Sequence, residues 1–108
     1  MPKISAHMVV KNEEHWVWYT IMSVIDYIDE VLIIDMSSTE KTLEIIKSIP
    51  SHKIKVLIDQ GDVVANRNFL ISQNKLEWVL ILDGDEIWTE SAITESIKII
   101  RESDLRLK

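Results

Sequence analysis

Residues 77–88 read EWVLILDGDEIW. An apolar run, Trp78 to Leu82, stops abruptly at Asp83, Gly84, Asp85 and Glu86. Continuous rather than alternating hydrophobicity over so short a run marks a strand covered on both faces, as in a parallel sheet between helices. Working back towards the N-terminus, three further apolar runs appear: Ile4–Val10 (ISAHMVV), Val31–Asp35 (VLIID) and Ile54–Asp59 (IKVLID). With Trp78–Asp83 they make four predicted strands, and the 31–35 run is as continuous as the last.

Helical spacing fills the gaps. Over 13–28, Val17, Ile21, Val24 and Ile28 form one stripe, flanked by Trp18, Met22 and Ile25. Asn12 reads as the N-cap, with Glu13 and Glu14 favouring the positive end of the helix. A second helix is expected over 40–49, with Leu43 and Ile46 turned one way and Pro50 ending it. A third is expected over 63–74, anchored by Ala65, Phe69 and Leu70, and a fourth over 90–102, with Ile93, Ile97 and Ile100 in step. Strand and helix alternate four times. Right-handed crossovers then give an α/β, Rossmann-like half-domain: a four-stranded, mostly parallel sheet with helices on both faces.

Composition narrows the function classes. The 108 residues are 46% hydrophobic and 28% charged, enough for one packed domain. Only 2 glycines and 2 prolines argue against low-complexity sequence, and the absence of cysteine excludes disulfides, thiolate metal sites and cysteine nucleophiles. Eighteen acids against 12 Lys and Arg give a net charge of −6. The one Lys/Arg gathering, Arg101, Arg106 and Lys108, is mixed with acids, so nucleic acid is not an expected partner. No run approaches the roughly 18–20 apolar residues that span a bilayer, and Met-Pro-Lys-Ile-Ser is not a signal-peptide start. The expected location is the cytoplasm or the cytoplasmic face of a membrane.

In open α/β sheets, ligands bind beyond the carboxyl ends of the strands. Acids concentrate there: Glu13 after the first strand, Asp35 and Asp59 ending the second and third, Asp83 and Asp85 after the fourth. Like charges on one edge repel each other and any anionic ligand. A hard divalent cation, Mg2+ or Mn2+, resolves both problems, taking one or two carboxylates and completing its shell with water and phosphate oxygens. Neither GxGxxG nor GxxxxGK[ST] occurs, so a backbone phosphate cradle of those kinds is ruled out.

Four segments, ISAHMVVKNEE (4–14), DEVLIIDMSSTEKTLEI (29–45), VVANRNFLIS (63–72) and EWVLILDGDEIW (77–88), together resemble the family-two glycosyltransferases of the GT-A fold. Those enzymes transfer a sugar from a nucleotide-sugar donor. The resemblance implies that Val10, Lys11, Asn12 and Glu13 border the nucleoside and that Asp35 hydrogen-bonds the base or ribose. It also implies that Arg67 and Asn68 sit near the nucleotide or donor sugar and that Asp83 faces ribose or sugar. Asp85, with Asp83 beside it, would hold the Mn2+ or Mg2+ that bridges the diphosphate. A UDP-sugar, an inverting reaction and a separate acceptor are what the resemblance implies. Residues 1–108 would be the nucleotide-sugar-binding part, with the acceptor pocket and general base expected beyond Lys108. One stretch departs from the pattern. Where the family carries Asp-x-Gly-Ser-Thr-Asp-Gly-Thr, this chain has Asp35-Met36-Ser37-Ser38-Thr39-Glu40-Lys41-Thr42, without either glycine.

Plainer roles compete with these. Asp35 can cap the next helix through a local bond, Asp83 and Asp85 can simply end a strand, and Arg67 can be a solvated helix residue. His7, His15 and His52 lack metal-ligand spacing, and His7 reads as a core residue. Trp16 and Trp18 read as packing or subunit-surface residues, and Trp88 as core. Two alternative functions stand beside the glycosyltransferase reading. One is an aspartate-based phosphotransfer domain, which fits poorly because the acid pair at 83–85 comes so late. The other is a non-catalytic fragment that forms a homo-oligomer through an exposed sheet edge.

Overall fold

The structure, a computed structural model, describes residues 2–107; the basic C-terminal gathering ends on Lys108, outside the described residues. The elements are β1 (Ile4–Val10), α1 (Val17–Val24) continued by a 3-10 turn (Ile25–Tyr27), β2 (Glu30–Asp35), α2 (Thr42–Ser48), β3 (Ile54–Ile58), α3 (Val63–Gln73), β4 (Trp78–Leu82) and α4 (Glu90–Leu107). Strand order is β3-β2-β1-β4, and every pairing is parallel. Register aligns Val10 with Asp35 and Met8 with Leu82, so the carboxyl ends of β2, β1 and β4 lie side by side.

The order dictates where each helix goes. From β1 through β3 the chain steps in one direction, then jumps back past β1 to lay down β4. Right-handed crossovers put helices of one stepping direction on one face and a reversed crossover on the other. Accordingly α1, α2 and α4 share a core with Ala6, Met8, Val31, Ile33 and Leu82, centred on Val17, Ile21, Ile46 and Ile93. The large side chains here are fully buried, each contributing about 1.5–3 kcal/mol of transfer free energy. The reversed crossover, α3, lies alone on the opposite face, where Leu70 meets Leu32 and Ile34.

Both faces carry helices, but unequally. The central strand β2 is buried along nearly its whole length, as its continuous run predicts. The β4 run is just as apolar, yet Ile81 is half-exposed because the single helix on that face does not reach over it. The same uneven cover corrects α3: its inward residues are Asn66 and Leu70, while Ala65 and Phe69 are exposed. Helix α4 runs further than its apolar stripe, and Ile93, Ile97 and Ile100 do face the core.

The start of α1 also differs from expectation. Asn12 has φ 53 and does not cap the helix. Its backbone N–H donates to Ser38 Oγ at 2.9 Å, and its Oδ1 accepts from the Thr39 N–H at 2.9 Å. A side chain committed to the next turn cannot reach the first helical N–H groups. Instead the Glu13 carbonyl accepts from the N–H groups of Trp16 and Val17, and the helix proper begins at Val17.

Candidate nucleotide-sugar site

Between β1 and β4 the strand order reverses, and crevices at such points are where α/β sheets bind ligands. Two loops form this one: residues 11–16 after β1 and 83–89 after β4. A third, 36–41 after β2, braces them from beside β1.

The first and third loops are bonded together. Besides the Asn12 contacts, the Glu13 N–H donates to Thr42 Oγ1 and the Glu14 N–H to Glu40 Oε1, each at 2.9 Å, while the Lys41 N–H donates to Glu14 Oε2 at 3.1 Å. Glu14 therefore does more than favour a helix end. Ser38, Glu40 and Thr42 were not singled out by sequence reasoning; the signal was the polar run Ser37–Thr42 directly after a buried strand.

The lost glycines resolve differently. Ser37 stands at the first and adopts φ 54, the left-handed conformation that glycine accepts without cost. Lys41, at the second, has φ −79, so no glycine is needed there.

Asp35 is buried, and both its oxygens are occupied locally: Oδ2 accepts from the Ser38 N–H at 3.1 Å and Oδ1 from the Ser38 hydroxyl. Asp35 does not cap α2, whose N-cap position is Lys41 with no side-chain bond; its bonds are local but stop at Ser38. It holds the 36–41 turn against the sheet.

Gly84 is buried because the loop presses onto β1. A Cβ built there would stand 2.9 Å from both Val10 Cγ1 and Glu13 Cγ. Its carbonyl accepts from Thr20 Oγ1 at 3.1 Å, and the Glu86 N–H closes a turn onto the Asp83 carbonyl at 3.1 Å. Thr20 was missed from sequence because it reads as one more residue beside the α1 stripe.

The flanking acids are thus held on a fixed backbone while their side chains stay exposed. Asp83 Oδ1 accepts from the Arg67 guanidinium of α3 at 3.2 Å. Asn68 and Lys11 are exposed, and Val10 is buried under the loop. Glu13 has its carboxyl pushed above the usual range, first by burial and then by the charges of Asp85 and Glu40.

Asp85 is an exposed carboxylate on a pinned turn. Among the described residues no three His, Cys, Asp or Glu side chains converge as a ready metal cage. A hard cation can take only one or two carboxylates and complete its shell from water and phosphate. The donor set, oxygen only and next to a glycine pressed onto β1, fits Mg2+ or Mn2+.

An apolar cavity lies elsewhere. It is about 450 Å3, beside α3, and is lined by Leu32, Leu57, Phe69, Leu70 and Leu76. Among the described residues its only ion pair is Lys55–Glu30 at 3.1 Å, and none of the acids after the strands lines it. The groove is apolar, whereas the acids at the strand ends gather at the crevice.

Comparison with known proteins places the chain in a family. The model of glycosyl transferase family 2 matches residues 5–106. The chain belongs to that family. This family-two domain is 36% identical over 87 residues to an uncharacterized glycosyltransferase of Rickettsia typhi, covering 80% of this chain and 29% of that protein. It is 29% identical over 101 residues to the SPbeta prophage-derived glycosyltransferase SunS of Bacillus subtilis, covering 93% of the chain and 24% of that protein. A TPR repeat-containing protein of Synechococcus elongatus is 30% identical over 95 residues, 83% of this chain and 23% of its own length. The family-two domain therefore spans less than a third of these relatives. The four-stranded parallel sheet is the Rossmann-like half-domain the resemblance implied, and the phosphotransfer alternative falls away.

Proposed function

We propose that this domain binds the nucleoside diphosphate end of a nucleotide-sugar donor together with Mn2+ or Mg2+, for transfer of the sugar to an acceptor bound by a further part of the protein. One observation carries the reading: the Asp83-Gly84-Asp85 turn is clamped across the switch point, onto Val10 and Glu13, with Asp85 left exposed.

On this reading Asp85 holds the cation, and the turn of Val10, Lys11 and Asn12, with Glu13, borders the nucleoside. Asp35 keeps the 36–41 turn where the base and ribose lie, and Asn68 faces the donor from α3. A metal bound here would supply charge stabilisation to the departing nucleoside diphosphate. The donor is a UDP-sugar and the transfer inverting, both resting on the family resemblance, and the general base comes from outside these 108 residues.

Calorimetric titration of UDP into the purified chain tests the reading, first with Mn2+, then with EDTA, then on D85A with Mn2+. Saturable binding that needs both the metal and Asp85 supports it. Binding indifferent to EDTA and to D85A, or no binding to the wild type, contradicts it.

A further inference from the structure

Arg67 and Asp83 meet across the mouth of the crevice, from the first turns of α3 and the end of β4. The guanidinium NH2 group reaches Asp83 Oδ1 at 3.2 Å. Side-chain exposures are 41% for Arg67 and 64% for Asp83. An ion pair so exposed contributes little to folding, since screening and side-chain entropy offset the attraction. The contact must matter for something else, or for nothing.

Three features give it a purpose. First, the Asp83 backbone is already immobile, through the Glu86 N–H bond to its carbonyl and the Thr20 bond to Gly84. The side chain's only remaining freedom is rotation, and the contact with Arg67 removes it. Second, the contact is made through one carboxylate oxygen, so Oδ2 stays available to accept from a ligand hydroxyl. Third, Asp83 adjoins Gly84, which packs on Glu13, and Glu13 in turn feels the charges of Asp85 and Glu40. Arg67 neutralises one charge of that group at the point where an anionic diphosphate has to enter.

We infer that Arg67 is a positioning residue. It acts through Asp83 rather than by touching the nucleotide, fixing the Asp83 carboxylate towards the donor's hydroxyls and cancelling its charge against the incoming diphosphate. The inference rests on the nucleotide-sugar reading of the site. It differs from that reading in making Arg67 dispensable once Asp83 is gone.

A double-mutant cycle separates the two roles. UDP affinity is measured by calorimetry at saturating Mn2+ for the wild type, R67Q, D83N and R67Q/D83N. Mn2+ affinity alone is measured for the wild type and R67Q. Circular dichroism melts confirm that all four proteins fold, and R67K is carried as the conservative variant.

R67Q is expected to weaken UDP binding about fivefold, the weight of one partly exposed charge contact. The same substitution tightens Mn2+ alone by a similar factor, because the acidic group regains a charge. In the D83N background R67Q changes UDP affinity less than twofold, and R67K restores most of the loss in the wild-type background. A purely structural role would not move the metal and the nucleotide in opposite directions. Equal loss of UDP affinity from R67Q in both backgrounds, or unchanged Mn2+ affinity, overturns the inference and makes Arg67 a direct contact. No binding of UDP by the wild type overturns the nucleotide-sugar reading itself, and the inference with it.

Discussion

Replacing Gly84 with alanine places a methyl carbon 2.9 Å from Val10 Cγ1, 2.9 Å from Glu13 Cγ and 3.5 Å from Glu13 Cβ. Separations under about 3 Å lie well inside carbon–carbon contact, so something has to move. Val10 is buried and β-branched, so its χ1 is restricted and it does not yield easily. Glu13 can rotate away, but only by giving up its place over the loop. Overpacking of this kind costs about 1–3 kcal/mol. At about 4–6 °C per kcal/mol for a domain of this size, the melting temperature of G84A should fall by roughly 4–18 °C. Thermal unfolding followed by circular dichroism reads this directly. Truncating one obstacle should relieve part of it: E13A/G84A should be destabilised by less than the sum of E13A and G84A. A G84A protein as stable as the wild type, or strictly additive effects of the two substitutions, would refute the close packing of this loop on β1.

Three further outcomes follow from the same geometry. S37G should stabilise the domain by about 0.5–1 kcal/mol, because glycine adopts φ 54 without the steric penalty serine carries; an unchanged or lower melting temperature contradicts it. T20V removes the bond to the Gly84 carbonyl, and should cost about 1 kcal/mol in urea unfolding and weaken UDP binding in Mn2+; loss of neither would show that the bond does not hold the loop. His7 is buried on β1, Nε2 has no hydrogen-bond partner among the described residues, and burial pushes its pKa below 6.5, opposed by Glu30 and Asn74. With the folded pKa lowered, the unfolded chain binds more protons, so this part of the stability is present above about pH 6.5 and lost as pH falls below it. Urea unfolding at several pH values should therefore show wild type losing stability relative to H7N on acidification, and a constant difference between the two proteins would contradict it.

Much of the fold was legible because its core strands are covered. Val31 to Asp35 is buried almost throughout, and its unbroken apolar run says so. The stripe Val17, Ile21, Val24 and Ile28 is likewise buried as its spacing requires. Legibility fails where one helix has a face of the sheet to itself. Periodicity cannot show that α3 covers Leu32 and Ile34 but leaves Ile81 and Phe69 exposed, since that follows from the jump in strand order between β3 and β4.

The site divides in the same way. The acids at the strand ends are visible in sequence, because chemistry at a sheet's carboxyl edge depends on residue type and position. Several bonds that brace the loops around them join residues 25 or more apart, such as Asn12 with Ser38 and Thr20 with Gly84, and short-range pattern does not report those. Asn12 shows the cost of reading locally. It has the chemistry of an N-cap, but spends it on a neighbouring turn.

The most direct test of the central claim is to map UDP on the chain residue by residue. Backbone amide NMR spectra recorded during titration with UDP and diamagnetic Mg2+ should shift at Lys11–Glu13, Ser37–Thr39 and Asp83–Asp85. Amides beside the apolar groove, Leu57, Gln73 and Leu76, should stay still. Shifts confined to the groove, or spread without focus over the surface, would contradict a donor site at the β1–β4 switch point.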